Sequence, residues 1–363
     1  MPFSRFMEIA LYSEPSGYYA SGADCIGRGG DFFTSVSTGS LFGRLLAGQF
    51  LEMYNLLGSP KEFTIVEQGA NDGSLAIDVL AEFAGTPLEN VRFVIVEPME
   101  ALRECQAKML EGRRVEWVSD PSYLPEFSGV HFSNELFDAL PFEILRCANG
   151  QWHALNVVEA GGGFVFEPSG RAFEGECLPA RPDGFLAEAR PAQEMLLGEV
   201  FHKLQRGFLL AVDYGMSRRE LLAPHRSEGT YACYSKHQRD SRPLEEPGFK
   251  DITAHVDFSA LARAAVRAGF ELRGFTDQHH FLVGASTRLL SEIDGRQPCG
   301  QDAKLLRSLK TLMHPETMGT QFKAILLTKK ASSIEKVSGF KFARDATYLL
   351  DEADDFLITP GCD

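Results

Sequence analysis

FTIVEQGANDGSLAIDVLAEFA occupies residues 63–84. A short apolar run ends in polar residues and crosses a glycine-marked turn. The chain then takes up the three- and four-residue apolar spacing of a helix, so the unit is strand, turn, helix. Working outward, VRFVIVE (91–97) is an almost unbroken apolar strand of the kind buried on both faces in a parallel sheet, and MEALRECQAKML (99–110) follows it as a helix. VEWV (115–118), GVHFSN (129–134) and GFLLAVDYG (207–215) continue the series, and GSLFGRLLAGQFLEMYNLL (39–57), stopped by Gly58, is a long helix with one buried face. Strands alternating with helices at this spacing predict a doubly wound α/β sheet. FLVG (281–284) and FKAILLTKK (322–330) are expected as two further strands, too close for a helical crossover of standard form, so an antiparallel edge strand is expected there.

One stretch breaks the rhythm. EILRCANGQWHALNVVEAGGGFVFE (143–167) places Asn149-Gly150 between two alternating runs and Gly161–Gly163 before a third, the pattern of an antiparallel meander with a type I′ turn. It reads as an insertion over the carboxyl ends of the parallel strands, where α/β proteins bind ligands. Residues 216–256 form a second polar insertion able to line the same crevice. The expected organisation has an N-terminal segment and helix over the ligand site (1–60) and one α/β core (61–142 and 201–330). An inserted subdomain (143–200) and a peripheral acidic C-terminal tail (331–363) complete it.

Composition bounds the function. A length of 363 residues suggests about two domains, but the pass along the chain favours one core enlarged by insertions. The formal net charge is −14, which disfavours binding to nucleic-acid backbones or anionic membranes and agrees with a basic protein partner, although solubility alone accounts for it. Seven cysteines without a C-x-x-C pair cannot close into a disulfide framework, so reduced thiols and a cytoplasmic location are expected. No run of about 18 apolar residues occurs, and neither a secretion signal nor a membrane span is expected.

The chemistry-bearing residues fall at strand ends. Glu67-Gln68-Gly69-Ala70-Asn71-Asp72-Gly73 has small residues that let a ligand approach the backbone, with G-x-x-x-G spacing rather than the G-x-G-x-x-G of dinucleotide sites. An acid just before the first glycine repels a pyrophosphate and suits the ammonium of S-adenosyl-L-methionine (SAM); a nucleotide site and a plain tight turn stay open on spacing alone. Glu97 closes the second strand, where a carboxylate can accept ribose hydroxyls or simply be solvated. Ser133–Pro141 leaves the fourth strand with Asn134, Glu135 and Asp138 on one turn. A carboxylate there can hold a guanidinium, and the alternative is that Asn134 or Asp138 caps a helix turn. Asp213 ends the fifth strand, and His255 and Asp257, two apart, could act as proton acceptor and orienting acid. A helix cap at Asp257 is the competing reading. No metal-ligand spacing and no G-x-S-x-G elbow is present.

In their order along the chain these motifs resemble the MidA-like SAM-dependent methyltransferases, the family of the mitochondrial complex I assembly-factor arginine methyltransferase. The resemblance rests on Leu11-Tyr12, Gly17-Tyr18-Tyr19 and Gly30-Asp31-Phe32 with Thr34, then on the glycine turn and Val96-Glu97-Pro98 with Gln106. It continues through Asn134-Glu135 with Phe137–Pro141, Asp213-Tyr214-Gly215, Gly229-Thr230, His237 and Asp251–Phe258 to Met318-Gly319. It implies a Rossmann-like SAM methyltransferase core, SAM as donor with S-adenosyl-L-homocysteine (SAH) as product, and a protein arginine as acceptor. The cofactor-binding set it implies is Gly30, Asp31, Thr34, Glu67, Gly69, Asn71, Gly73, Glu97 and Asn134, with Glu135, His255, Asp257 and Asp213 as catalytic candidates. Ser35–Gly39 departs from the family pattern, which motivates the alternative of a non-catalytic assembly or chaperone module retaining the SAM-binding fold.

Overall fold

The computed structural model describes residues 1–20, 35–175, 178–235, 238–297, 299–331 and 337–351. The N-terminal part contains α1 (Phe3–Tyr12), α2 (Leu41–Leu56), β1 (Thr64–Gln68), α3 (Ser74–Ala81), β2 (Arg92–Val96), α4 (Glu100–Met109), β3 (Val115–Val118) and β4 (Phe127–Asn134). The inserted strands are β5 (Glu143–Ala148), β6 (Gln151–Ala160), β7 (Gly163–Pro168) and β8 (Leu186–Ala189), followed by α5 (Pro191–Lys203) and β9 (Leu204–Met216). A second insertion carries α6 (Arg218–Leu221), β10 (Ala232–Ser235), β11 (Gln238–Asp240) and β12 (Asp251–Thr253). The chain returns through β13 (Val256–Asp257), α7 (Phe258–Ala268), β14 (Glu271–Asp277), α8 (Gln278–Ala285), α9 (Thr287–Asp294), α10 (Gly300–Met313) and β15 (Phe322–Lys329). Among the described residues no helix is long and apolar enough to cross a membrane.

The main sheet has the order β14-β15-β9-β4-β1-β2-β3, with β13 paired alongside the end of β9. Strands β3, β2, β1, β4 and β9 are parallel, whereas β15 runs antiparallel to both β9 and β14. Period-two alternation sorts each strand onto two apolar faces. Ile65, Phe93, Ile95, Val130, Phe132, Phe208, Leu210, Val212, Ala324 and Leu326 join α2, α3 and α8–α10 in one core. Val66, Val94, Val96, Leu209, Ala211, Ile325 and Leu327 join α5 and α7 in the other. Helices therefore cover both faces of a mainly parallel sheet, as expected.

Register lines up the chemistry. Gln68 pairs with Val96 and Ser133, and Asn134 pairs with Val212, so Glu67, Glu97, Glu135 and Asp213 emerge along one edge, the carboxyl ends of the parallel strands. Facing that edge, α1, the meander and β12 share a third apolar core built on Phe3, Phe6, Leu11, Phe142, Ile144 and Ile252. Asn149 and Gly150 both have positive φ, 52° and 73°, the type I′ turn that the sequence specifies. The inserted sheet, ordered β7-β6-β5-β8, ends at Ala189, and α5 already packs in the second face of the core through Leu196, Leu197 and Val200.

Three expectations are corrected. FLVG (281–284) lies in α8, not in a strand: Asp277 caps that helix by accepting the His280 N–H at 2.8 Å, and so short an apolar run does not distinguish helix from strand. The antiparallel strand, β15, sits second from the edge, and β14 outside it carries a register shift at Leu272/Gly274 that obscures its alternation. The segment after residue 331 is not wholly peripheral. Phe340 is 1% exposed with its ring 5.4 Å from that of Phe281, Leu349 is fully buried, and the Ser338 amide donates to Glu52. The acidic end beyond residue 351 lies outside the described residues.

Gly129 of β4 has φ 150°, and a Cβ there would stand 2.0 Å from the Thr64 carbonyl oxygen of β1. Gly129→Ala is therefore expected to lower stability by about 1–3 kcal/mol, by forcing the β1–β4 pairing apart; thermal denaturation of the variant beside the wild type measures it.

Candidate active site

The turn after β1 is shaped by backbone conformations that few side chains tolerate. Gly69, Asn71 and Gly73 have φ of 76°, 47° and 83°, and asparagine is among the few residues that visit this region readily. A side chain at residue 69 would press on Leu136 of the loop after β4, 3.1 Å from its Cδ1. Gln106 ties the turn to the second strand end. Its amide donates to the Asn71 carbonyl at 2.8 Å and to Glu97 Oε2 at 3.1 Å, and its oxygen accepts from Trp117 Nε1 at 3.0 Å. Glu97 Oε1 accepts the Met99 amide at 3.0 Å, and each oxygen keeps a lone pair for a ribose hydroxyl. Burial pushes Glu97 up to about 7 despite these donors.

Glu67 is 3% exposed, and its Oε2 has no hydrogen-bond partner. Burial, then the charge of Asp72, pushes its carboxyl up to about 8. A buried carboxylate oxygen without a donor is costly, and an ammonium supplies both the donor and the charge. The orphaned Oδ1 of buried Asn134 offers a second acceptor beside the same edge. The residues present thus fit the cofactor: a cradle at Gly69–Gly73, Glu67 for an ammonium, and Glu97 for a ribose.

The loop after β4 is held by Asp213. This fully buried acid accepts at Oδ2 from the amides of Leu136 (3.1 Å), Phe137 (2.8 Å) and Asp138 (3.4 Å), and at Oδ1 from that of Tyr214 (2.9 Å). Its partners being backbone groups, Asp213 positions the loop. Glu135 takes the left-handed conformation at φ 54°, its amide donating to the Val212 carbonyl at 2.9 Å and its Oε1 accepting from Asn134 Nδ2 at 2.9 Å. Burial, then the charge of Asp138, pushes Glu135 up to about 8.

Tyrosines from distant segments surround these acids. Tyr12 donates to the Ala139 carbonyl at 2.9 Å and stacks on Tyr19, whose hydroxyl donates to Asp251 Oδ1 at 2.9 Å. Burial, followed by the charges of Asp251 and Asp138, holds the Tyr12 phenol well above its ordinary range. The Tyr214 hydroxyl lies beside Asp138 and Thr253.

The remaining candidates fall elsewhere. Asp257 does not orient His255: its Oδ1 caps α7 by accepting the Ala260 amide at 2.9 Å, and its Oδ2 binds buried Arg218 at 2.7 Å. His255 stands edge-on to Tyr214, ring centroids 5.8 Å apart, with an unpartnered Nδ1. Burial, then Arg226, Arg190, Arg239 and Lys323, lowers it to about 4, so the imidazole is neutral and its charged neighbours are basic. Gly30, Asp31, Thr34 and His237 lie outside the described residues. Reading the sequence gave no role to Tyr12, Tyr19, Tyr214, Asp251 or Gln106 and passed over Arg190, which is 5% exposed. An arginine at the end of the strand Leu186–Ala189, directly before Pro191, was the available signal.

The model of a family of S-adenosyl-L-methionine-dependent methyltransferases matches residues 45–276. A crystal structure of a COG1565 superfamily member from Burkholderia thailandensis, bound to S-adenosyl-homocysteine, superposes with a TM-score of 0.82 at 30% identity, covering 96% of this chain and 92% of that one. Curated relatives include the mitochondrial protein arginine methyltransferase NDUFAF7 of Homo sapiens, 26% identical over 94% of this chain and 82% of its own length. The Drosophila melanogaster homolog is 26% identical over 90% of this chain and 81% of its own length. These relatives are mitochondrial by name, which overturns the cytoplasmic expectation: unpaired thiols do not distinguish one reducing compartment from another. Fold, strand-end acids, glycine turn and comparisons agree, and the chain belongs to the MidA-like family of SAM-dependent methyltransferases.

Proposed function

We propose that this methyltransferase acts on the guanidinium of an arginine side chain in a protein. The observation that carries the reading is Glu135, fixed in a left-handed conformation by the Val212 carbonyl and Asn134, beside the buried acids Asp138 and Asp251. A cationic acceptor is what such a cluster favours, and a planar guanidinium binds a carboxylate through paired N–H donors. The naming of the curated relatives as protein arginine methyltransferases supports the same acceptor. A purely structural use of the fold gives no account of carboxylates held dry at the methyl-transfer edge.

Bound SAM supplies an electrophilic methyl group on a sulfonium. Glu67 and the Gly69–Gly73 turn, with Glu97 and Asn134, would hold it at the carboxyl ends of β1, β2 and β4, and we assign the same role to Gly30, Asp31 and Thr34. Glu135 holds the guanidinium with one nitrogen directed at the methyl. Glu135, whose raised affinity for protons suits it as acceptor, would take the proton that this nitrogen sheds on being methylated. Asp213 keeps the loop in place, and His255, neutral among basic groups, lies behind Tyr214.

Two tests follow. Glu67 has its proton affinity raised in the folded state, so between about pH 4.5 and pH 8 the folded chain binds more protons than the unfolded one, and stability falls as pH rises through that window. Glu67→Gln should make that fall shallower, by one carboxyl's share, in denaturation curves without ligand while weakening SAH binding roughly 10- to 100-fold in calorimetry, the size of a lost charged hydrogen bond. Unchanged SAH affinity would remove Glu67 from the cofactor site. For catalysis, kcat/KM on an arginine peptide should rise with pH up to about 8 as Glu135 ionises. Glu135→Gln should lose at least about a hundredfold in rate together with that pH limb; a variant with wild-type kcat/KM would refute the assignment.

A further inference from the structure

Asp138 lies three residues beyond Glu135 on the same loop and is 3% exposed. Its position is fixed from both sides: its amide donates to Asp213 Oδ2 at 3.4 Å, and its carbonyl accepts the Ala254 amide at 3.2 Å. The Tyr214 hydroxyl and the Ala139 amide lie close enough to its carboxylate to favour the charged form. Asp138 Oδ1, however, has no hydrogen-bond partner, and neither has Asn134 Oδ1 beside Glu135. Arg190 is near enough to act on the Asp138 charge, but no hydrogen bond joins the two, and its Nε has no partner. Its Nη1 donates to the His255 carbonyl at 3.0 Å and its Nη2 to the Ala254 carbonyl at 2.5 Å, while its face lies over Phe142 at 5.2 Å.

A carboxylate oxygen kept dry and without a donor costs stability unless a ligand provides the donor. Here the orphaned oxygen sits on the same short loop as Glu135, among Tyr12, Tyr214 and Asp251. A guanidinium carries five N–H donors in a rigid plane and can engage two separate carboxylates at once, whereas an ammonium is a compact, strongly hydrated point charge. We propose that Asp138 is a second acceptor-binding carboxylate, which with Glu135 grips opposite edges of the guanidinium and selects arginine over lysine. This rests on the arginine reading. The paired N–H edges fix the guanidinium plane, with the unpartnered Asp138 Oδ1 taking one of them.

The test uses the full chain with labelled SAM and two heptapeptides of Gly and Ser centred on arginine or lysine, with SAH calorimetry as the control for folding and cofactor binding. Asp138→Asn should raise KM for the arginine peptide at least about tenfold and reduce the preference for arginine over lysine by a similar factor, with SAH affinity within about twofold of wild type. Asp138→Glu should recover part of both. Wild-type KM and preference in Asp138→Asn would overturn the role of Asp138 while leaving the arginine reading intact. Transfer by the wild type to the lysine peptide and not to the arginine peptide would overturn that reading and this inference together. Should the Asn variant not fold, a crystal structure of the wild type with SAH and arginine amide decides: a guanidinium nitrogen within hydrogen-bond reach of Asp138 Oδ1 supports the role, and a guanidinium bound without that contact overturns it.

Discussion

The carboxylate of Asp213, with no exposed surface, accepts hydrogen bonds from three consecutive amides after β4 and from the amide that follows it on β9. This single carboxyl group converts a chain reversal at the end of a parallel strand into a rigid platform. Because Leu136, Phe137 and Asp138 all point their N–H groups at one point, the preceding residue must turn sharply, which places Glu135 at φ 54°. Leu136 then packs over Gly69, so the loop after β4 and the glycine turn after β1 lie against each other. Without this bond set, Glu135 and Asp138 would sit on an unconstrained loop, and their carboxylates would move apart in water rather than stay close in a dry recess.

The electrostatics of the recess run against those of the molecule as a whole. The chain already carries a formal charge of −14, yet Glu67, Glu97, Glu135, Asp138 and Asp213 gather at one sheet edge, where burial raises the proton affinity of every one of them. Such a cluster is eased by positive charge, which the proposed sulfonium donor with its ammonium and a cationic acceptor would bring. Arg190 offsets part of the negative charge while remaining committed to backbone carbonyls, so it tempers the recess without filling it.

The walls come from segments far apart in the chain. Tyr12 and Tyr19 arrive from the N-terminal region, Asp251 and Thr253 from the second insertion and Phe142 from the start of the first, all drawn together by the apolar core of Phe3, Phe6, Leu11, Phe142, Ile144 and Ile252. The acids come from the strand ends of the sheet itself, and part of the wall around them from insertions folded over it.

The sequence by itself determined the doubly wound sheet, the type I′ turn at Asn149-Gly150 and the strand-end placement of Glu67, Glu97, Glu135 and Asp213, because side-chain periodicity and positive-φ residues act locally. It did not separate α8 from a strand, since FLVG is too short to carry a period, and it assigned the stretch around Phe340 to a tail because the core that buries it lies far away in the chain. Nor could spacing show that Asp257 is spent on Arg218 and a helix cap, or that His255 faces basic groups. Only the tertiary structure decided which acids keep an unpartnered oxygen, as Glu67 and Asp138 do, because hydrogen-bond satisfaction depends on neighbours brought in by the fold.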